Sequence, residues 1–227
     1  MKLRAHFQLL LSILVSAALV AQFIYGLTLA QNPLTYMEQF LSYFTILSNI
    51  LVALIFIGES ISQYMKTPLP RSFQVWRGAA VFYILITGVV YALFLRGPGG
   101  HGQVAYSIAW INSVFHYLVP TLVVADWLIF CPRTRISWVH ILSWISGTAL
   151  YVIFVEVGGL MSHEYPYFFL DPTLFHGYSG VLRASLAFIP FFLVFGVLVI
   201  GSANSQIFLR RKFARTRPAA SHRTDPQ

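Results

Sequence analysis

Charge is scarce in this chain. Asp, Glu, Lys and Arg make up only 10% of its 227 residues, against roughly 25% in an ordinary soluble domain. Cysteine is rarer still: Cys131 stands alone, which excludes an intramolecular disulfide and a cysteine-based zinc site. At the end of an apolar segment it reads as an inert thiol, with juxtamembrane palmitoylation as the alternative. Glycine-rich phosphate loops, HExxH and CxxC patterns and a Ser-centred GxSxG elbow are all absent, and with them the usual nucleotide, metalloprotease, redox and α/β-hydrolase signatures. His101, His163 and His176 lie in or beside connecting segments at spacings that match no metal site. No cofactor and no metal are expected.

What the chain has instead is apolar length. Hydrophobic residues make up 57%, with twenty Phe and twelve Tyr, and the mean hydropathy is +0.70. Crossing a hydrocarbon core takes about 20 helical residues. Six segments qualify, near 7–30, 40–60, 78–95, 104–130, 138–160 and 181–208. Their long unbroken runs exclude a transmembrane β-barrel, whose strands are short and alternating. The expected fold is therefore all-α, a polytopic bundle of six transmembrane helices over residues 1–209. A basic, disordered tail over 210–227 is expected to follow. The first run exceeds twenty residues and ends in no clear cleavage site, so it reads as a retained helix rather than a signal peptide.

The net charge of +8 is placed for a membrane, not for nucleic acid. Thirteen of the fifteen basic residues fall on one side of the six spans; only Arg96 and Arg183 lie near the other. The positive-inside rule puts both termini in the cytoplasm and the segments near 31–39, 96–103 and 161–180 outside. The tail is expected to sit against anionic headgroups. Of the outer segments, Gln31-Asn-Pro-Leu-Thr reads as a turn and Arg96-Gly-Pro-Gly-Gly-His-Gly as flexible. Ser162 to Pro172 is aromatic and proline-punctuated; it reads as an interfacial anchor or as a lid over a cavity.

Polar groups are costly in hydrocarbon and usually face the bundle interior. Ser42, Thr45 and Asn49, with Ser48 close by, form a stripe on the second span at helical spacing. Asn112, His116 and Pro120 share a face of the fourth with Ala105 and Ala109, and Ser113 lies beside it. Pro120 has no N–H for the carbonyl of His116, so a kink is expected. Counted from the outer face, Thr45 to Asn49 lie roughly 7–14 Å deep and Asn112 to His116 roughly 12–18 Å, by the helical rise. One cluster in the outer half of the membrane is feasible. Serine hydroxyls and the Asn amides also serve simply to hold helices together. His116 differs, because an ionisable group within a span is a functional candidate by default. Glu59 and Asp126, near cytoplasmic ends, read as structural partners of interfacial Lys or Arg. Glu156 and Arg183 either pair and orient the outer cavity or each snorkel to the interface.

These motifs resemble the androgen-induced-gene family of six-span membrane proteins, in its bacterial branch. The resemblance rests on Tyr43-Phe-Thr-Ile-Leu-Ser-Asn49, on His116-Tyr-Leu-Val-Pro120 and on Tyr165-Pro-Tyr-Phe-Phe-Leu-Asp171, which looks like that family's Tyr-Pro-Phe-Leu-acid element with one aromatic inserted. Animal members are threonine hydrolases of fatty acid esters of hydroxy fatty acids. The resemblance implies Thr45 as nucleophile, His116 as general base and residence in a bacterial cytoplasmic (inner) membrane. A hydroxyl becomes nucleophilic when a base within about 2.6–3.2 Å takes its proton. Asn49 or Asn112 is placed to stabilise an oxyanion, a role worth about 3 kcal/mol. Ser48, Glu156 and Arg183 complete the candidate substrate-binding set. The partners expected are a lipid ester and the membrane itself, with oligomeric state open. The rival readings are a non-enzymatic lipid-binding or proton-coupled transport protein, with His116 in a relay, and a helical subunit of a larger complex.

Overall fold

A computed structural model describes residues 2–96, 106–130, 132 and 134–215. Cys131, His101 and most of the segment expected near 96–103 lie outside the described residues. All regular elements among the described residues are helical. Helix α1 is Lys2–Leu29, α2 Pro33–Ser42, α3 Phe44–Met65 and α4 Arg71–Val90, which runs on as a π-turn over Tyr91–Leu95. A short helix α5, Ala109–Ser113, passes through a π-turn, Val114–Leu118, into α6, Val119–Ile129. Helix α7 is His140–Ser162, a 3-10 turn covers Phe168–Leu170, and α8 is Gly177–Arg215. Six helical stretches are long and apolar enough to cross a membrane, the architecture of an integral membrane protein.

Local chemistry sets the boundaries and revises several expectations. The segment after α1 is not a plain turn, because the Asn32 side chain accepts from the N–H of Leu34 and Thr35 and Pro33 occupies the first helical position, a strong helix start. The second span begins at Phe44, not at 40, because Tyr43 is extended (φ −76°, ψ 123°) and separates α2 from α3. Ser42 therefore leaves the stripe on that span. The third span begins at Arg71, directly after Pro70, and so carries Arg77 inside the bundle. Helix α8 runs through Arg215, six residues beyond the expected boundary at 209.

Six crossings bring both chain ends to one end of the bundle, here the terminal end. In α3, α4 and the α5–α6 span 56% of the spanning window is buried, against 22% in α7 and 17% in α8. The core thus lies on the α3–α4–α6 side, while α7 and α8 turn most of their apolar surface outward. The packing there is close. The Tyr83 hydroxyl donates to the Trp144 carbonyl at 3.0 Å, and a Cβ on Gly147 would fall 2.1 Å from that hydroxyl oxygen. Gly147→Ala is expected to cost about 1–3 kcal/mol, as overpacking of a filled core does. A thermal unfolding midpoint equal to that of the wild type would contradict this.

At the terminal end four helices are joined by buried charges. Arg4 of α1 lies 2.9 Å from Glu59 of α3 and 3.2 Å from Asp126 of α6. Arg77 of α4 lies 3.3 Å from Glu59 and 2.7 Å from Asp126. Gln8 donates to both carboxylates and receives a bond from Gln63. The guanidinium groups lie over Phe130 and Trp127, each 4.9 Å from the ring centroid. Two cations meet two anions, so the cluster is neutral, which is how ionisable groups persist at such burial.

Candidate active site

Thr45 and His116 meet at the other end of the bundle. The Thr45 hydroxyl lies 3.0 Å from Nε2 of His116, and both side chains are buried. Nδ1 of His116 lies 2.9 Å from the carbonyl oxygen of Asn112. A carbonyl only accepts, so Nδ1 carries the proton and Nε2 presents its lone pair to the Thr45 hydroxyl. The orienting role that a carboxylate plays in the usual triad falls here to a backbone carbonyl one turn upstream. Tyr91 fixes the ring further, stacked on it with centroids 3.8 Å apart and planes 21° from parallel.

Local sequence explains how these groups are presented. Pro120 offers no N–H to the carbonyl of His116, and the helix widens into the π-turn of residues 114–118 just before it. Gly88 of α4 lies against this stretch; a Cβ there would come 3.0 Å from Pro120 Cβ and 3.3 Å from the His116 carbonyl. The break at Tyr43 is held from afar, since the Tyr151 hydroxyl donates to the Ser42 carbonyl at 2.7 Å. Helix α3 restarts with the N–H groups of Ile46 and Leu47 on the Tyr43 carbonyl. Thr45 is thus the second residue of a helix, and the N–H groups of Phe44 and Thr45 have no acceptor within it.

Tyr167, from the third connecting segment, lines the same cavity as Thr45 and lies close to its side chain and to the backbone of Thr45 and Phe44. Burial raises the phenol above its ordinary value, opposed by the Thr45 side chain and by that backbone. The neighbouring Tyr165 is pushed up to about 12, first by burial and then by Tyr178. The aromatic segment is therefore folded into the bundle over Thr45, with Pro166, Tyr167 and Leu170 buried.

Thr45 also opens onto a cavity of about 320 Å³, inside the roughly 300–1,000 Å³ of small-molecule sites. Its walls are almost wholly apolar, from Phe44, Ile86 and Val90 through Tyr151 and Tyr167 to Phe188 and Phe192. Ile153 of α7 and Leu182 and Leu186 of α8 line it while remaining exposed. The cavity thus opens sideways between α7 and α8, the two least buried spans.

The other candidate residues divide. Asn49 donates to the Thr45 carbonyl at 2.8 Å, and Ser48 bonds the same carbonyl and the Thr87 hydroxyl. Asn112 donates to the Tyr91 hydroxyl at 2.6 Å. Each amide nitrogen gives one hydrogen within the protein and keeps a second, while the backbone N–H groups of Phe44 and Thr45 have no acceptor within α3. Glu156 and Arg183 do not line the cavity. Of the two alternatives for Glu156 and Arg183, the pair is not formed: both Glu156 carboxylate oxygens are buried without a hydrogen-bond partner, while Arg183 is exposed. Among the described residues no group of His, Cys, Asp and Glu is arranged to hold a metal ion. Tyr91 and Tyr167 escaped the sequence reading as site residues; only the aromatic segment around Tyr167 was marked, as an interfacial anchor or a lid. Comparison with protein-family models, with curated proteins and with solved structures found no match to this chain.

Proposed function

We propose that this protein is an intramembrane hydrolase of lipid esters. The observation that carries the reading is the 3.0 Å contact between the Thr45 hydroxyl and the unprotonated nitrogen of His116, beside an apolar cavity open to the bilayer. The Thr45 proton moves to His116 Nε2 as the oxygen bonds the ester carbonyl carbon, and the carbonyl oxygen becomes an oxyanion. Its natural donors are the N–H groups of Phe44 and Thr45, reinforced by the positive end of α3. Collapse breaks the bond to the alcohol oxygen, which takes the proton from His116 as the alcohol leaves. Water then gives a proton to Nε2 as it bonds the acyl carbon, and collapse releases the acid as the Thr45 oxygen takes that proton back. The acyl chain lies in the cavity, entered sideways from the lipid. The resemblance to the androgen-induced-gene family points the same way. By the positive-inside rule the site faces the outer leaflet of a bacterial inner membrane.

The test is fluorophosphonate labelling of detergent-purified protein, which replaces fluoride on phosphorus with the attacking oxygen. An adduct mapped to Thr45 supports the reading. A folded protein that neither labels nor hydrolyses acyl esters of any chain length defeats it, and the apolar cavity then favours a lipid-binding role without chemistry.

Tyr167 separates two versions of the mechanism. Its phenol lies beside the donors that an oxyanion would use, so we read it as a competitor for them and not as an acid. Tyr167→Phe is expected to raise the labelling rate about fivefold, the worth of one ordinary hydrogen bond. A slower reaction would instead make Tyr167 a proton donor.

A further inference from the structure

The terminal end of the bundle holds a second cavity, far from Thr45 and of about 540 Å³. It lies between the first turn of α4 and the segment that leads into α7. Arg71, Arg135 and His140 line it together with the hydroxyls of Ser72, Thr134 and Ser137. Among the described residues no ion pair reaches Arg71 or Arg135. The ion pairs among the described residues join only Arg4 and Arg77 to Glu59 and Asp126.

Two further features favour an anion here. Pro70 caps α4 without a side-chain hydrogen bond, so the N–H groups of Arg71 and Ser72 have no helical acceptor and add the positive end of the helix. The opposite wall is fixed in place, because the Asn204 side chain of α8 both accepts from the Ile136 N–H at 3.0 Å and donates to its carbonyl at 2.9 Å. Such a pocket suits a phosphate group, with hydroxyls and backbone donors between two guanidinium groups.

The surroundings choose between a soluble phosphate and a lipid. Trp76, itself part of the wall, is 59% exposed, and on the other wall Trp138, Val139 and Leu142, which follow Ser137 in sequence, are exposed as well. Tryptophan is enriched at the membrane interface, and basic pockets between spanning helices on the cytoplasmic side take anionic headgroups. We infer that this cavity is a binding site for the phosphate headgroup of an anionic phospholipid, whose acyl chains run along the Trp76–Trp138 flank. It is independent of the proposed chemistry at Thr45.

The experiment is a titration of delipidated, detergent-purified full-length protein with short-chain phosphatidylglycerol, phosphatidylcholine and inorganic phosphate. Wild type is expected to prefer phosphatidylglycerol. The double variant Arg71→Gln/Arg135→Gln is expected to bind it roughly 30-fold more weakly, the factor two arginines contribute near an anionic surface. Both side chains are exposed, and an unchanged unfolding midpoint confirms that the variant is folded. A control, Arg210→Gln/Arg211→Gln, removes the same charge from the exposed end of α8 and is expected to bind like wild type. Equal losses in the two double variants would mean general attraction and overturn the site. Inorganic phosphate binding as tightly as the lipid would overturn the lipid assignment.

Discussion

Thr45→Ala is expected to abolish fluorophosphonate labelling at that position and to lower acyl-ester turnover at least about 10³-fold, because no other group holds the nucleophile's place. His116→Ala is expected to fall by a similar factor, since a threonine hydroxyl with no base is a weak nucleophile. The informative comparison is the double variant. Residues that act as one unit lose most of their effect with the first substitution, so Thr45→Ala/His116→Ala should be no slower than either single variant. Two residues holding helices together independently would instead give additive losses of stability and no common effect on rate.

Stability must be measured alongside. Removing the Thr45 hydroxyl leaves the buried Nε2 of His116 without its donor, a cost of about 1–3 kcal/mol, which is too small to unfold a well-packed bundle. Thr45→Ser keeps the hydroxyl and should keep labelling within about an order of magnitude, the scale on which one missing methylene alters a fit. Labelling of Thr45→Ala at the wild-type rate would place the reactive group elsewhere and end the assignment.

Much of this arrangement was legible in the sequence because hydrophobic length is a strong local signal. All six spans follow from it, and the two polar stripes expected to form one cluster meet in the 3.0 Å contact between Thr45 and His116. What stayed hidden depends on partners distant in sequence. Nothing between Phe40 and Asn49 marks a break, since the stretch holds neither glycine nor proline; the hydroxyl that supports the break comes from Tyr151, 109 residues from Ser42. Pro120 announced a distortion, but not that it would take the form of a π-turn upstream, beside a carbonyl on which His116 could rest. The same limit explains Glu156 and Arg183. Opposite charges near one face suggested a pair, yet helix rotation leaves the arginine outside and the carboxylate within.

Arg77 shows the limit from the other side. Its charge counted correctly toward the basic end of the protein, but the residue is only 1% exposed, locked against Asp126 and Glu59. Asp126→Ala is expected to destabilise the fold by about 3–5 kcal/mol, the usual result of breaking a buried ion pair from one side. The loss arises less from the missing attraction than from the charge left behind: Arg4 and Arg77 are left to share the single carboxylate of Glu59. Arg77→Met alone should cost a comparable amount, because it leaves the two buried carboxylates with Arg4 as their one cation. The double variant Arg77→Met/Asp126→Leu should recover much of the loss, because it leaves Arg4 facing Glu59 as a neutral pair and fills the space with apolar atoms. Chemical or thermal unfolding in detergent reads all three. If both single variants were as stable as the wild type, the cluster would carry no such strain on its removal. The folded fraction of each variant should still label at Thr45 within about twofold of the wild-type rate, since distant sites with no shared partners act independently. A parallel fall in labelling would show instead that the four-helix ionic cluster sets the distance between Thr45 and His116 from the opposite end of the bundle.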